Sequence, residues 1–317
     1  MKKQELRIVF MGTPDFAVAT LDALYQDHYN IVGVITAPDR PAGRGQKINE
    51  SDVKKYAKSK KLNILQPINL KNEEFLKQLK SLNANLQIVV AFRMLPKVVW
   101  AMPAYGTFNL HASRLPDYRG AAPIHWAIIN GESKTGITTF FIDEKIDTGA
   151  IILQEEIAIG HEETVGQLHD RLKEAGSQLV LKTVAQITTG NVSTSIQPKS
   201  IELKTAYKLN KENCKIDWTE DVENIYNKIR GLNPFPAAWC YLENGEDRLR
   251  VKIYDVNMMT EPHSDQLRTI KPTKSELRVF VKNGILIINE IKIPGKRKMD
   301  VKSLLNGFEL QKNAKML

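Results

Sequence analysis

LRIVFMGTPDFAVATLDALY, residues 6–25, holds an apolar run broken only by Arg7, then Gly12-Thr13-Pro14-Asp15, then a helical pattern over Phe16–Tyr25. A short apolar run closed by Gly and Pro reads as a buried strand, and the stretch as a strand–turn–helix unit. The same alternation continues outward. Ile31–Thr36 is a second strand, and Val53–Lys60 and Glu73–Leu82 are helices. Leu86–Ala91 is a continuous apolar strand, and Thr107–His111 alternates apolar and polar. Ala122–Asn130 is helical, Ile137–Ile142 and Ile151–Ile157 are strands, and Glu162–Ile187 is a long amphipathic helix. Strands alternating with helices predict an α/β, Rossmann-like architecture: a largely parallel sheet covered on both faces. Gly12-Thr13-Pro14 lacks the full GxGxxG spacing, so it reads as a tight turn rather than a dinucleotide site.

The pattern changes near Gly190. Asn191–Ser200 is polar, with Ser, Thr and one Pro, and reads as a linker. A helix over Glu220–Arg230 then ends at Gly231-Leu232-Asn233-Pro234-Phe235-Pro236. Short strands follow at Trp239–Leu242, Leu249–Val256, Leu277–Val281 and Ile285–Ile293, with turn signals at Asn244-Gly245 and Asn283-Gly284. This part predicts a smaller β-barrel or sandwich. With 317 residues the chain has room for two domains. The expected division is 1–190 catalytic, 191–209 linker and 210–317 barrel.

Hydrophobic content of 42% and charged content of 26% are ordinary for a soluble globular protein. Cys214 and Cys240 lie in no CxxC or Cys/His array, which argues against a disulfide framework and a thiolate zinc site. They fit a reducing, cytoplasmic location. Lys2 and Lys3 precede an apolar run too short for a signal peptide, and no apolar segment approaches the ~20 residues of a membrane span. The net charge is +9, denser over 201–317 than over 1–200. Such a balance suits a polyanionic partner or a lysine-rich, solvated surface equally well.

Three segments carry candidate chemistry. In TFNLHASRLPDYRGAAPIHW, residues 107–126, Asn109 and His111 stand two apart on a strand and share a face opposite Phe108 and Leu110. They sit where open α/β sheets place ligands, beside a loop rich in Pro, Gly and Arg. Histidine changes charge near neutral pH, and asparagine can donate to a developing oxyanion. Asp147, in Asp143–Gly149, either belongs to a polar turn or reaches His111 directly or through water. The run Asp39–Lys47 carries Arg40, Arg44 and Lys47. It is either solvated or a grip on phosphates, as are Lys292, Lys296, Arg297 and Lys298. Nothing in these segments calls for a metal.

Together these residues resemble the methionyl-tRNA formyltransferase family. The carriers are Gly12–Phe16, Pro38–Gly45, Asn109-Leu110-His111 with Ser113 and Leu115-Pro116, Tyr118–Pro123, Asp147-Thr148-Gly149 and Asn233–Pro236. The resemblance implies a Rossmann-like domain and an oligonucleotide-fold-like barrel. It implies transfer of a formyl group from 10-formyltetrahydrofolate to methionine on initiator tRNA. Asn109, His111 and Asp147 would be catalytic, and Ser113, Arg114, Leu115 and Pro116 would contact folate. Arg40, Arg44 and Lys47, with Lys296 and Arg297 of the barrel, would contact tRNA. No membrane is expected, and the protein is expected to be monomeric. Arg114 departs from the family's leucine: it would alter the folate contacts or point to solvent. Ala91–Pro96 is one residue shorter than the usual form.

Overall fold

The computed structural model describes residues 3–42, 47–198 and 203–317. In chain order its first part runs β1 (Arg7–Gly12), α1 (Asp15–Gln26), β2 (Asn30–Ile35), β3 (Arg40–Ala42), β4 (Lys47–Asn49), α2 (Asp52–Ser59), β5 (Ile64–Leu65), α3 (Glu73–Ser81) and β6 (Leu86–Val90). It continues with α4 (Lys97–Trp100), β7 (Thr107–His111), β8 (Arg119–Gly120), α5 (Pro123–Ile129), β9 (Lys134–Phe141), β10 (Ile151–Ala158) and α6 (Val165–Thr189). Two compact units emerge. One is Met1–Gly120, Thr135–Ile157 and His169–Thr205; the other is Ala121–Lys134, Ala158–Leu168 and Ala206–Leu317.

The first unit holds a seven-stranded sheet in the order β10-β9-β7-β6-β1-β2-β5. Strands β7, β6, β1, β2 and β5 are parallel. The expected largely parallel, Rossmann-like sheet is therefore present. β9 runs antiparallel to β7, with His111 opposite Thr138. The chain leaves and re-enters the sheet at one end there, so no crossover is needed. Helices cover both faces. Phe75 and Leu79 of α3 and Val99 of α4 pack on Val9, Met11, Ile35 and Val89. On the other face a Cβ at Gly176 of α6 would lie 2.8 Å from Leu110 Cδ2, and Thr183 bonds Thr139 at 2.8 Å. Strands covered on both sides are largely apolar, as β1 and β6 are apart from Arg7 and Gln87.

The chain order reverses direction between β1 and β6, so their carboxyl ends open a crevice next to the end of β7. Gly12 ends β1 inside a tight turn: a Cβ there would come 2.6 Å from Ala17 Cβ and 3.0 Å from Val90 O. Only glycine leaves room for the turn expected at this position.

The second unit adds β11 (Thr205–Ala206), α7 (Val222–Arg230), β12 (Ala238–Asn244), β13 (Asp247–Met259), β14 (Ile270–Pro272), β15 (Leu277–Val281), β16 (Gly284–Lys292), β17 (Met299–Asp300), α8 (Val301–Leu305) and β18 (Lys315–Met316). Its antiparallel order is β14-β15-β16-β13-β12-β18. Met316 N donates to Arg268 O at 3.0 Å, beside a bridge between Thr269 and Lys315, so the two edges nearly close a barrel. Of the two sequence alternatives, barrel and sandwich, the short β18 decides for the barrel.

The hairpin registers differ from the Asn-Gly reading by one residue. Asn244 pairs with Asp247, so Gly245-Glu246 form that loop. Val281 pairs with Gly284, so Lys282-Asn283 form the other, with Asn283 at φ 61°. Gly284 lies inside the strand, and a Cβ there would meet Met259 O at 2.3 Å. Val222, Ile225 and Ile229 of α7 lie on the barrel core around Trp218, Cys240 and Leu286. Helix α5 packs on α7 within this same unit, and a Cβ at Gly231 would sit 2.7 Å from Ile129 Cγ1. Among the described residues no helix is long and apolar enough to cross a membrane.

Candidate active site

Asn109 and His111 end up as the strand periodicity predicts. Both lie on β7, with Phe108 and Leu110 buried on the reverse side. His111 is 7% exposed, and its ring meets Phe140 edge-on at 6.5 Å. His111 Nε2 lies 2.8 Å from the carbonyl oxygen of Tyr118. A carbonyl only accepts, so Nε2 carries the proton and donates. That leaves Nδ1 facing Asp147, whose Oδ2 is 3.9 Å away. The separation is too long for a hydrogen bond.

Asp147 is held from several sides. Its Oδ2 accepts from Gly120 N at 2.9 Å. Its backbone lies in the left-handed region, φ 54°, which costs a non-glycine residue energy and needs outside support. Gln197 supplies it: Nε2 donates to Asp147 O at 2.9 Å and to Gly149 O at 2.8 Å. Gln197 Oε1 accepts from Arg119 Nη2 at 2.6 Å and Nε at 3.1 Å. Thr148 Oγ1 closes the turn onto Asp143 Oδ1 at 2.7 Å. Gly149 is obligatory, since a Cβ there would fall 1.7 Å from Phe141 O. Of the two readings of Asp143–Gly149, the turn is present, and Asp147 stands beside His111 without bonding to it.

Asn109 Oδ1 is buried and has no hydrogen-bond partner among the described residues. An orphaned acceptor beside a histidine and a carboxylate is costly unless an incoming N–H or O–H satisfies it.

The residues expected to contact folate form a loop tied to β9 and β10. Ser113 is fully buried and its hydroxyl donates to Asp117 O at 2.6 Å. Thr138 Oγ1 donates to Ser113 O at 2.7 Å and accepts from Gln154 Nε2 at 3.0 Å. Gln154 Nε2 also donates to Leu115 O at 2.8 Å. The Leu115–Pro116 peptide is cis, and Leu115 is buried. Arg114 takes the solvent alternative: its guanidinium pairs with Glu156 at 2.9 Å, with more than half of the side chain exposed.

The basic run is a hairpin at its root. Arg40–Ala42 pair antiparallel with Lys47–Asn49. Asp39, just before it, binds Lys54 and accepts from Gln66 Nε2 at 2.9 Å. Arg40 is exposed; burial, with the charge of Arg40 second, pushes the Arg93 guanidinium down. Arg44 falls outside the described residues, as does the side chain of Lys47. Arg93 itself donates to the carbonyls of Pro67 and, at 2.8 Å, Ile68.

On the barrel, Lys296 and Arg297 are exposed in the loop after β16. A cationic row that sequence reading passed over lies on β13. Arg250 sits 4.3 Å over the Trp239 ring and Arg248 4.2 Å over Tyr241, with Lys215 within 6 Å of both rings. The signal was there in the alternation of Arg248 and Arg250 against Trp239 and Tyr241. Elsewhere Asp15, His169 and Asp170 bring ligand-type atoms within 4.8 Å of one another. The ammonium of Lys173 already bridges the two carboxylates, 3.2 Å from Asp15 and 3.1 Å from Asp170.

Residues 6–184 match the formyl transferase family, and residues 208–309 match its C-terminal domain. The chain is 58% identical over 313 residues to a Flavobacterium johnsoniae protein named methionyl-tRNA formyltransferase, spanning 99% of each. It is 50% identical to a Bacteroides fragilis protein of the same name, spanning 100% of this chain and 99% of that one. Among solved structures it resembles a sugar 3N-formyl transferase crystallised with dTDP and 5-N-formyl-THF, at TM-score 0.64 and 19% identity over 92% of this chain and 99% of that one. An N-formyltransferase from Helicobacter canadensis, in complex with folinic acid and dTDP-3-aminofucose, gives TM-score 0.64 and 20% identity over 89% and 98%.

Proposed function

Since the chain belongs to the formyl transferase family, we propose that it is a methionyl-tRNA formyltransferase. It moves the formyl group of 10-formyltetrahydrofolate to the α-amino group of methionyl initiator tRNA, as a cytoplasmic monomer. The observation that carries the mechanism is the grouping of Asn109, His111 and Asp147 at the end of β7, with an unsatisfied Asn109 oxygen and a free His111 Nδ1 edge. Full-length relatives of that name support the substrate.

The neutral amine attacks the formyl carbon, and a tetrahedral intermediate forms with its charge on oxygen. Asn109 accepts an N–H of the amine at Oδ1 and turns Nδ2 toward that oxygen. His111 Nδ1 takes the proton the amine must lose, directly or through water, because Nε2 is committed to Tyr118 O. The imidazolium then lies against Asp147, and the 3.9 Å gap closes as the pair becomes ionic. The bond from the formyl carbon to the folate nitrogen breaks, and His111 returns the proton to that nitrogen. No side chain is acylated, and these three residues carry the proton and the charge without a metal ion. The loop Ser113–Pro116 borders the folate, with the Arg114 side chain turned to solvent. Arg40, Arg44 and Lys47, and on the barrel Lys296, Arg297, Arg248 and Arg250, face tRNA phosphates. The sheet unit carries the catalysis and the barrel unit the tRNA binding.

The test is purified protein with labelled 10-formyltetrahydrofolate, offered methionyl-tRNA, free methionine and an amino sugar nucleotide. Formylation of methionyl-tRNA alone is expected; transfer to the amino sugar would overturn the substrate assignment. Asn109→Ala should lower kcat by about 10²–10³-fold, the loss typical of an oxyanion donor. His111→Ala should lower it by about 10²–10⁴-fold. Near-normal turnover in both, and in Asp147→Asn, would remove the mechanism.

A further inference from the structure

We propose that Gln197 is a positioning residue for Asp147, a strut that fixes the distance between the carboxylate and His111. The inference rests on the catalytic reading of Asp147 given above. Gln197 lies in the polar stretch read as linker, yet it is only 5% exposed. Its segment is bound to the sheet unit, since Ser195 and Ile151 exchange backbone hydrogen bonds at 2.9 and 2.8 Å. Every polar atom of its amide is used. Two carbonyls, Asp147 O and Gly149 O, require a donor, and the Arg119 guanidinium requires an acceptor. These needs leave a single orientation for the amide.

Arg119 lies between Tyr118, whose carbonyl holds His111 Nε2, and Gly120, whose amide holds Asp147 Oδ2. The three segments 118–120, 147–149 and 195–197 thus form a closed ring of hydrogen bonds around the His111–Asp147 pair. The left-handed backbone of Asp147 makes its turn dependent on such bonds. Gln197 touches neither His111 nor the Asp147 carboxylate, so its effect on the reaction passes through the turn.

The decisive variant is Gln197→Glu. Its carboxylate still accepts from Arg119 and strengthens that contact, but it offers no N–H to Asp147 O or Gly149 O. We expect kcat to fall about 10- to 100-fold, the scale of a catalytic group displaced by about an ångström. KM for both substrates should change less than about 3-fold, because the strut grips neither substrate. If Gln197→Glu does not fold, Gln197→Asn serves instead, its shorter amide spanning at most part of the ring. Each variant is crossed with Asp147→Asn. A residue acting through Asp147 should cost under about 2-fold in that background. Full multiplication of the two losses, or near-normal kcat in Gln197→Glu, would overturn the proposal while leaving a crippled Asp147→Asn to support the catalytic reading. An active Asp147→Asn would overturn that reading itself.

Discussion

The candidate site depends on residues whose roles differ in how they reach each other. Asn109 and His111 were legible because two residues apart on one strand is a local relation. Asp147 was legible only as a choice between a polar turn and a partner for His111, because its place beside that ring depends on how two neighbouring strands end. Gln197 left no mark in the sequence, since a glutamine in a polar stretch has no pattern, and its partners are 48–78 residues away. Gly149→Ala should destabilise the protein by roughly 3 kcal/mol or more, the upper range for forcing extra volume into a packed site, and abolish turnover. Thermal melting and the formylation assay check both. The two thiols make the opposite kind of prediction. Burial pushes Cys240 up to about 12 and raises Cys214 as well, so both stay protonated and poorly nucleophilic near neutral pH. A thiol-specific chromogenic reagent should find neither cysteine in the native protein at pH 8 and both after denaturation.

Among the elements, the longer strands and helices were legible from their apolar patterns, and the structure adds their caps. Ser51 and Asn72 each accept from the third following backbone N–H, as helix N-caps do. The short elements were not. Arg40–Ala42 and Lys47–Asn49 look like a featureless basic loop, because a two-strand ribbon on the surface needs no apolar face. Its root has a pH dependence of definite sign. Lys54 beside Asp39 holds that carboxyl below its ordinary range, with Gln66 assisting. A lowered carboxylate contributes stability above its unfolded value and loses it as pH falls through the folded one. The hairpin should therefore keep its amide protection across neutral pH and lose it only in acid, which hydrogen exchange can follow. The same hairpin sets a salt dependence. If Arg40 and Lys47 each neutralise a phosphate, replacing both by alanine should reduce the slope of log affinity for tRNA against log salt by about 2. An unchanged slope would place the phosphates elsewhere.

For the whole chain, the change in periodicity near Gly190 distinguishes a sheet pattern from a barrel pattern. What belongs to each part is a tertiary matter. The compact unit around the barrel also takes in Ala121–Lys134 and Ala158–Leu168. Within it α5 packs on α7, and Arg230 donates to the carbonyls of Gly160 and Glu163 at 3.3 and 2.9 Å. A fragment beginning at residue 210 would lack those segments and expose the outer side of α7. It should melt lower than the barrel does in the intact chain and bind a hydrophobic dye; an equally stable, dye-free fragment would contradict this. The sequence by itself determined the class of fold, the two parts, the face that Asn109 and His111 share and the family. All of these follow from local periodicity or from residues adjacent in the chain. The tertiary structure alone decided barrel closure by Lys315–Met316, the solvent-facing course of Arg114, the His111 tautomer and the strut of Gln197. Each is a pairing between distant segments, and a hydrogen bond is set by where two backbones meet, which no local pattern of side chains encodes.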